Sequence, residues 1–254
     1  ALKTLDLSRN LLDDVALYAL TAARWPCRLT HLDLSHNPLS EHAGLHLSEW
    51  PALCDLQSLA LAGTDLSSDA LSDALDAPFN KTLTALDLSD NATLYPEGAA
   101  VLSGAAHLGR LNALKVSRCR LDLDGLTALL ASPWCAHLTA LDLSGNPLGD
   151  AGARAIAGCA QLARLQSLSL SGCNLSPDAA SALVSSRHLS ALTDLNLSEN
   201  HLGQRGALAF TSPQRPERLP LLHTLDLRHN RTWRDTSATL AASPHLHGVT
   251  VYIG

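Results

Sequence analysis

The chain has 254 residues, 46% of them hydrophobic, with 18 Lys and Arg against 24 Asp and Glu for a net charge of −6. That modest, mixed charge excludes a general phosphate-neutralising surface, so no nucleic-acid partner is expected. No apolar run approaches the roughly 20 residues that span a bilayer, so no membrane partner is expected either. The N-terminus shows no signal-peptide pattern. The sequence starts one residue before a strand phrase, with no start Met and no capping segment, and reads as an excised fragment that is a monomer in isolation.

The first predicted element opens at Leu2, and its phrase returns at Leu29, Leu56, Leu83, Leu111, Leu138, Leu165, Leu192, Leu222 and, in degenerate form, Leu246. The steps between them are 27, 27, 27, 28, 27, 27, 27, 30 and 24 residues. The clearest copy is LTALDLSGN at residues 138–146. Period-two alternation makes it a short strand, with Leu138, Leu141 and Leu143 inward and Ala140, Asp142 and Ser144 on the solvated face. Asn146 ends the strand because a buried amide both donates to and accepts from the backbone of a turn that lacks ladder bonds. A period of 24 to 30 residues with LxxLxLxxN is the leucine-rich-repeat signature.

Between strands there is room for a helix. Small residues at Ala16, Ala70, Gly125, Gly152, Ala179 and Gly206 are expected to let it approach the sheet, and apolar residues follow at helical spacing. Asp150 and Asp178 are placed to cap helix starts. Strands need about 4.8 Å and packed helices about 8 to 10 Å, so the stack bends toward its strands. The expected architecture is an α/β solenoid, a horseshoe with a parallel sheet on the concave face and helices on the convex face. Residues 1–254 form one domain of about nine or ten repeats.

The first repeats hold Cys27 and Cys54, one repeat apart, where a bridge is geometrically possible; the reduced state is expected. Cys119 and Cys173 occupy the turn position of Asn146, and Cys135 stands where other repeats have Leu53, Leu108, Leu162 and Leu189. His42 and His46 share a predicted helix face, but no zincin Glu or third ligand accompanies them. His223, His245 and His247 form a second loose group, and both are read as solvated surface. Trp25, Trp50 and Trp134 fall in return loops beside prolines, as core-edge packing. Repeat 4 gains a residue near Ala92 and Thr93, read as a bulge. Residues 211–220 gain three, and Pro213, Pro216 and Pro220 argue against a regular helix there. Repeat 9 then loses three and carries Thr232 beside Trp233 in place of the usual Leu.

At the turn position Asn10, Asn37, Thr64, Asn91, Cys119, Asn146, Cys173, Asn200 and Asn230 follow one another. From the second repeat to the eighth Asn alternates with Thr or Cys. That alternation resembles the ribonuclease-inhibitor-like subclass of leucine-rich repeats, which also builds the sensor regions of NOD-like receptors. GNPLGDAGARAIA at residues 145–157 is similar to the GALA-type repeats of plant-pathogen type III effectors. The resemblance implies a non-enzymatic protein-interaction scaffold, the target-recognition domain of a bacterial effector secreted into host cytoplasm, with a ligase or F-box module outside these residues. NOD-like-receptor sensing and nuclease inhibition are the alternatives it leaves.

The strand face carries a carboxylate column, Asp6, Asp33, Asp87, Asp142 and Asp226, that could share a proton or hold a cation. It is broken by Ala60, Ser169 and Asn196 and neutralised by Lys115, so neither catalysis nor a metal is expected. The serine column beside it has no poised base. Asn-x-Ser/Thr matches at Asn80, Asn91, Asn174, Asn196 and Asn230 arise from repeat phrasing, and Asn91 and Asn230 are expected to be buried. No Walker loop, Cys-x-x-Cys pair or cofactor motif is present. Recognition anchors are usually aromatic or Arg, and those gather in repeats 8 and 9 at Arg215, Arg218, Arg228, His229, Arg231, Trp233 and Arg234. These are the expected partner-binding residues.

Overall fold

The computed structural model describes residues 2–23, 27–94, 97–213 and 215–254. Trp25 lies outside them. The chain divides into two compact units, one of residues 1–121 with 131–134 and one of residues 122–130 with 135–254.

In the first unit the strands are β1 (Thr4–Asp6), β2 (His31–Asp33), β3 (Ser58–Ala60), β4 (Ala85–Asp87) and β5 (Ala113–Lys115), alternating with helices α1 (Asp14–Ala22), α2 (Ala43–Ser48), α3 (Ser68–Leu75) and α4 (Glu97–Gly104). Consecutive strands pair in parallel and in repeat register, Leu5 with Leu32, Leu32 with Leu59, Leu59 with Leu86 and Leu86 with Leu114. The second unit opens with helix α5 (Leu123–Ala131), of which only the last residue falls in the first. There β6 (Ala140–Asp142), α6 (Gly149–Gly158), β7 (Ser167–Ser169), α7 (Pro177–Val184), β8 (Asp194–Asn196), α8 (Gly203–Leu208), α9 (Arg215–Arg218), β9 (Thr224–Asp226), α10 (Arg234–Ala241) and β10 (Thr250–Tyr252) follow. Strands β6 to β10 again pair in parallel in chain order. The expected α/β repeat organisation is present in both units.

The phrase leucines make the core. Leu138, Leu141 and Leu143 are buried, as are their equivalents Leu165, Leu168 and Leu170, while Asp142 and Ser144 are half-exposed. Each such side chain contributes about 1.5 to 3 kcal/mol by leaving water, which compensates for strands of three residues and helices as short as four that would not form alone. Cys135 is buried at its leucine position. Trp50 and Trp134 are buried as expected, and Trp134 Nε1 donates to the Leu102 carbonyl at 3.1 Å.

The turn residues form the hydrogen-bonded ladder that their chemistry predicts. Asn91 Oδ1 accepts the N–H groups of Thr64 and Leu66, and its Nδ2 donates to Leu61 and Leu88 carbonyls. Asn200 does the same for Cys173, Leu175, Leu170 and Leu197. Cys119 and Cys173 donate through sulfur to Leu88 and Leu143 carbonyls at 3.1 and 3.3 Å. Asn91 and Asn230 are fully buried, where no glycan fits.

Several local expectations are corrected. Asp150 and Asp178 do not cap their helices. Ser67 and Ser176 accept from Ala70 and Asp178 N–H groups, Asp13 from Ala16 and Asp122 from Gly125, all close to three residues beyond the turn position. Asp150 instead accepts from Ser176 N and Oγ at 2.8 and 2.5 Å, one repeat on, as Asp14 does from Ser40. Asp150 in the first turn of α6 thus fastens the cap of α7, and Asp14 in α1 holds Ser40 ahead of α2. Asp178 faces Arg205 at 3.1 Å.

At Gly152 and Gly206 the close neighbours of the small residue belong to the preceding loop and the neighbouring helix. A Cβ on Gly152 would lie 2.6 Å from Leu148 Cβ, and one on Gly206 would lie 2.8 Å from Leu202 Cβ and 3.1 Å from Pro177 Cα. The first helical turn folds onto the preceding loop's leucine and onto the neighbouring helix. The extra residue of repeat 4 is taken up in a 3-10 turn at Ala92–Leu94. Residues 215–218 form one helical turn despite the prolines, because Pro216 falls in the first turn, where no intrahelical N–H is needed.

Candidate functional site

The carboxylate column has a structural task. Asp6, Asp33, Asp87 and Asp142 each accept the N–H of the serine two residues on, at 2.8 to 3.0 Å, and Asn196 does so from Ser198. This is the Asx turn: it turns the chain out of the strand at residues where ladder bonding stops. Ser8 N–H and Oγ hold Asp6 below the ordinary carboxylate range, its hydroxyl contributing most. Lys115 lies 3.4 Å from Asp87, and Arg118 pairs with Asp90, lowering that carboxyl too. Hydroxyls link across strands, Ser144 with Ser169 at 2.7 Å and Ser198 with Ser171 at 2.9 Å. The Asp and Ser side chains of this face thus bond chiefly to one another and to the backbone of the turn.

A second row was not legible. The residue before each turn position is left-handed throughout: Arg9, His36, Gly63, Asp90, Arg118, Gly145, Gly172, Glu199 and His229 have φ between 52° and 68°. Only three of these nine positions hold glycine, so side chains of several kinds are displayed here in a conformation that costs non-glycine residues of order 1 kcal/mol each. The signal was the fixed place in the repeat.

At the last full repeat this row meets the expected partner-binding residues. Asp226 and Arg228 follow one another across Leu227 at the end of β9. Arg228 Nε donates to Asp226 Oδ1 at 3.0 Å, Nη2 to Oδ2 at 2.6 Å, and the Arg228 N–H to Oδ1 at 3.0 Å. Burial pushes the Asp226 carboxyl up, but these bonds outweigh it and leave it lowered; the carboxylate in turn holds Arg228 higher. The guanidinium carbon sits 5.5 Å over the ring of Tyr252 in β10, a cation–π contact. His229 and Arg231, with φ of 58° and 56°, project from the same loop, and Trp233 is 70% exposed at the start of α10.

Arg218 is not part of this group. It lies in α9 ahead of β9, at the opposite end of the strand, and is half-buried. Arg215 shares α9, and Arg234 opens α10; their side chains lie outside what the structure describes. Tyr252, absent from the expected set, is the residue that the sequence reading missed; its position one repeat after Asp226 was the available signal.

Elsewhere, His42 lies 3.7 Å from Asp14 and His46 stacks 5.4 Å from Tyr18. Among the described residues no three His, Cys, Asp or Glu side chains converge as metal ligands. The six cysteines are thiols, and burial raises Cys119 and Cys173 to about 11 and Cys135 to about 12. No helix among the described residues is long and apolar enough to cross a membrane.

Comparison with known proteins agrees with the repeat geometry. The family model described as Leucine Rich repeat matches residues 79–103, 135–157, 164–184 and 188–210, and a second, Leucine Rich Repeat, matches 28–51. A stretch of 145 residues, 51% of the chain, is 37% identical to mouse "Capping protein, Arp2/3 and myosin-I linker protein 2", covering 11% of that protein. In structure the chain is similar to the leucine-rich repeat-containing protein LegL7 from Legionella pneumophila, with a TM-score of 0.67 and 23% identity over 99% of this chain and 82% of the other.

Proposed function

The chain belongs to the leucine-rich repeat family, whose domains generally bind proteins, and from that premise we propose that residues 1–254 act as one recognition domain whose partner contacts the end of β9. The observation that carries this reading is the Arg228 side chain, bonded to Asp226 and packed over Tyr252, with Trp233 exposed five residues on at the start of α10. Ordered Arg and exposed aromatic groups supply contact energy with little entropy left to lose. His229 and Arg231 add donors around them.

The finer reading is target recognition by a bacterial effector acting on host proteins, as a substrate-binding part joined to a ligase or F-box module. Its support is the Gly-Ala grammar of residues 145–157 and Gly206-Ala207. The likeness to LegL7 bears on fold alone. A second reading follows from the mouse relative: a recognition module within a large linker protein.

Capture from plant and animal cell lysates, compared between the native chain and an Arg228→Ala, Arg231→Ala, Trp233→Ala variant, separates these readings. A host protein captured by the native chain and lost with the variant is expected. Capture that the variant retains in full overturns the site.

A further inference from the structure

Two residues in the return loops ahead of β6 and β7 depart from their columns together. Where neighbouring repeats set a leucine against a serine 24 residues on, Leu108 with Ser132 and Leu162 with Ser186, the chain has Cys135 and Cys159. The serine column has a fixed task. Ser132 Oγ donates to the Ser103 carbonyl at 3.4 Å and Ser186 Oγ to the Ala157 carbonyl at 2.6 Å, each 29 residues back. Cys159 Sγ makes the same bond to the Leu130 carbonyl, at 3.8 Å. A thiol is a weaker donor than a hydroxyl, and Cys135 fills less of a buried leucine place than leucine does. Neither exchange improves the packing or the ladder. What the two bring together is a sulfur contact, because the Cys135 side chain is hydrogen-bonded to that of Cys159.

The two thiols differ in access. Cys135 is 1% exposed within the 3-10 turn Pro133–His137, whereas Cys159 is half-exposed and stands between α6 and the 3-10 turn Ala160–Arg164, inside neither. Its sulfur is therefore free to approach to the roughly 2 Å of an S–S bond without opening a helix.

We propose that Cys159 and Cys135 form a peroxide-responsive pair, in which the Cys159 sulfur is oxidised and the Cys135 sulfur resolves it to a disulfide. The Cys159 thiolate attacks one oxygen of hydrogen peroxide and breaks the O–O bond, giving a sulfenic acid and hydroxide. Cys135 then gives up its proton and displaces hydroxide from the Cys159 sulfur. Two thiols lose two electrons, and one peroxide leaves as two waters. Burial above all, with Cys159 beside it, lifts Cys135 to about 12, so Cys135 stays a thiol until a sulfenic acid forms next to it. The bridge joins two return loops one repeat apart and restricts the unfolded chain.

The test treats the native chain with hydrogen peroxide and maps its peptides by mass spectrometry, beside Cys135→Leu and Cys159→Ser. Those variants restore the residues of the neighbouring repeats, and their circular dichroism is expected to match the native chain. In the native chain the peptides of Cys135 and Cys159 are expected to become linked, two hydrogens lighter, and to separate again with dithiothreitol; the urea midpoint rises in the linked form. In Cys135→Leu, Cys159 is expected to stop at the sulfenic acid and to be captured by dimedone at least tenfold more than in the native chain. In Cys159→Ser, Cys135 is expected to remain a thiol while the protein is folded. Equal dimedone capture in the native chain and Cys135→Leu overturns the proposal. So does a peroxide-made link from Cys159 to any other cysteine, or a folded native chain whose Cys159 is not oxidised.

Discussion

Asn200 accepts the backbone N–H of Cys173 at 2.9 Å, one repeat behind it, so a single side chain closes the turn of its own repeat and that of its neighbour. The alternation of Asn with Cys or Thr follows from this reach. An Asn serves the turn behind it, and the smaller Cys or Thr needs only to donate once. Asn200→Ala strands two buried N–H groups and two carbonyls and is expected to cost at least about 3 kcal/mol, against about 1 kcal/mol for Cys173→Ala, which removes one weak donor. Urea unfolding of both variants measures the difference, and equal losses would contradict the ladder.

The Asp226 carboxyl is buried yet lowered because Arg228 bonds to its charged form. A depressed folded value stabilises the native state above the unfolded one, near pH 4 for Asp, and that stability disappears as pH falls through the folded value. Asp226→Asn should therefore flatten the acid limb of the stability profile below about pH 4 and leave its shape above pH 5 unchanged. Native and variant profiles that fall in parallel below pH 4 contradict it.

Cysteine labelling separates two classes. Burial lifts Cys119, Cys135 and Cys173 to about 11 or 12, leaving little thiolate at pH 8, whereas Cys27, Cys54 and Cys159 are half-exposed. Iodoacetamide at pH 8 is expected to modify the second set in the native protein and the first only in denaturant, as read by peptide mass spectrometry.

Much of the fold was legible because each repeat restates it. The phrase at residues 138–146 carried strand, core and turn together, and nine further copies removed the ambiguity of any one. What was hidden lies between repeats. Asp142 reads as a surface carboxylate in an alternation pattern, yet its place two residues before Ser144 makes it an Asx-turn acceptor. Asp150 reads as its own helix's cap, yet it reaches Ser176, 26 residues on. In the candidate site, Arg228 and Trp233 were visible as residue types, but the strand that divides Arg218 from them and the packing of Tyr252 on Arg228 depend on pairing that no single repeat states.

The left-handed row gives a further expectation. Glu199 has φ of 58°, and among the described residues no hydrogen bond of its side chain offsets the strain. Glu199→Gly should stabilise the chain by about 0.5 to 1 kcal/mol. Gly63→Ala should destabilise it, since the new Cβ would lie 2.6 Å from His36 Nδ1 at a φ of 59°. Thermal unfolding of the two variants should move in opposite directions.

The central claim, that a protein partner is read at the end of β9, is tested most directly by titrating a captured partner against the native chain and the Arg228→Ala, Arg231→Ala, Trp233→Ala variant, with circular dichroism and unfolding confirming that the variant stays folded. A loss of affinity of tenfold or more is predicted, while a control at the other end of the strand, Arg218→Ala, stays within twofold. Affinity of the triple variant within twofold of native would contradict the account.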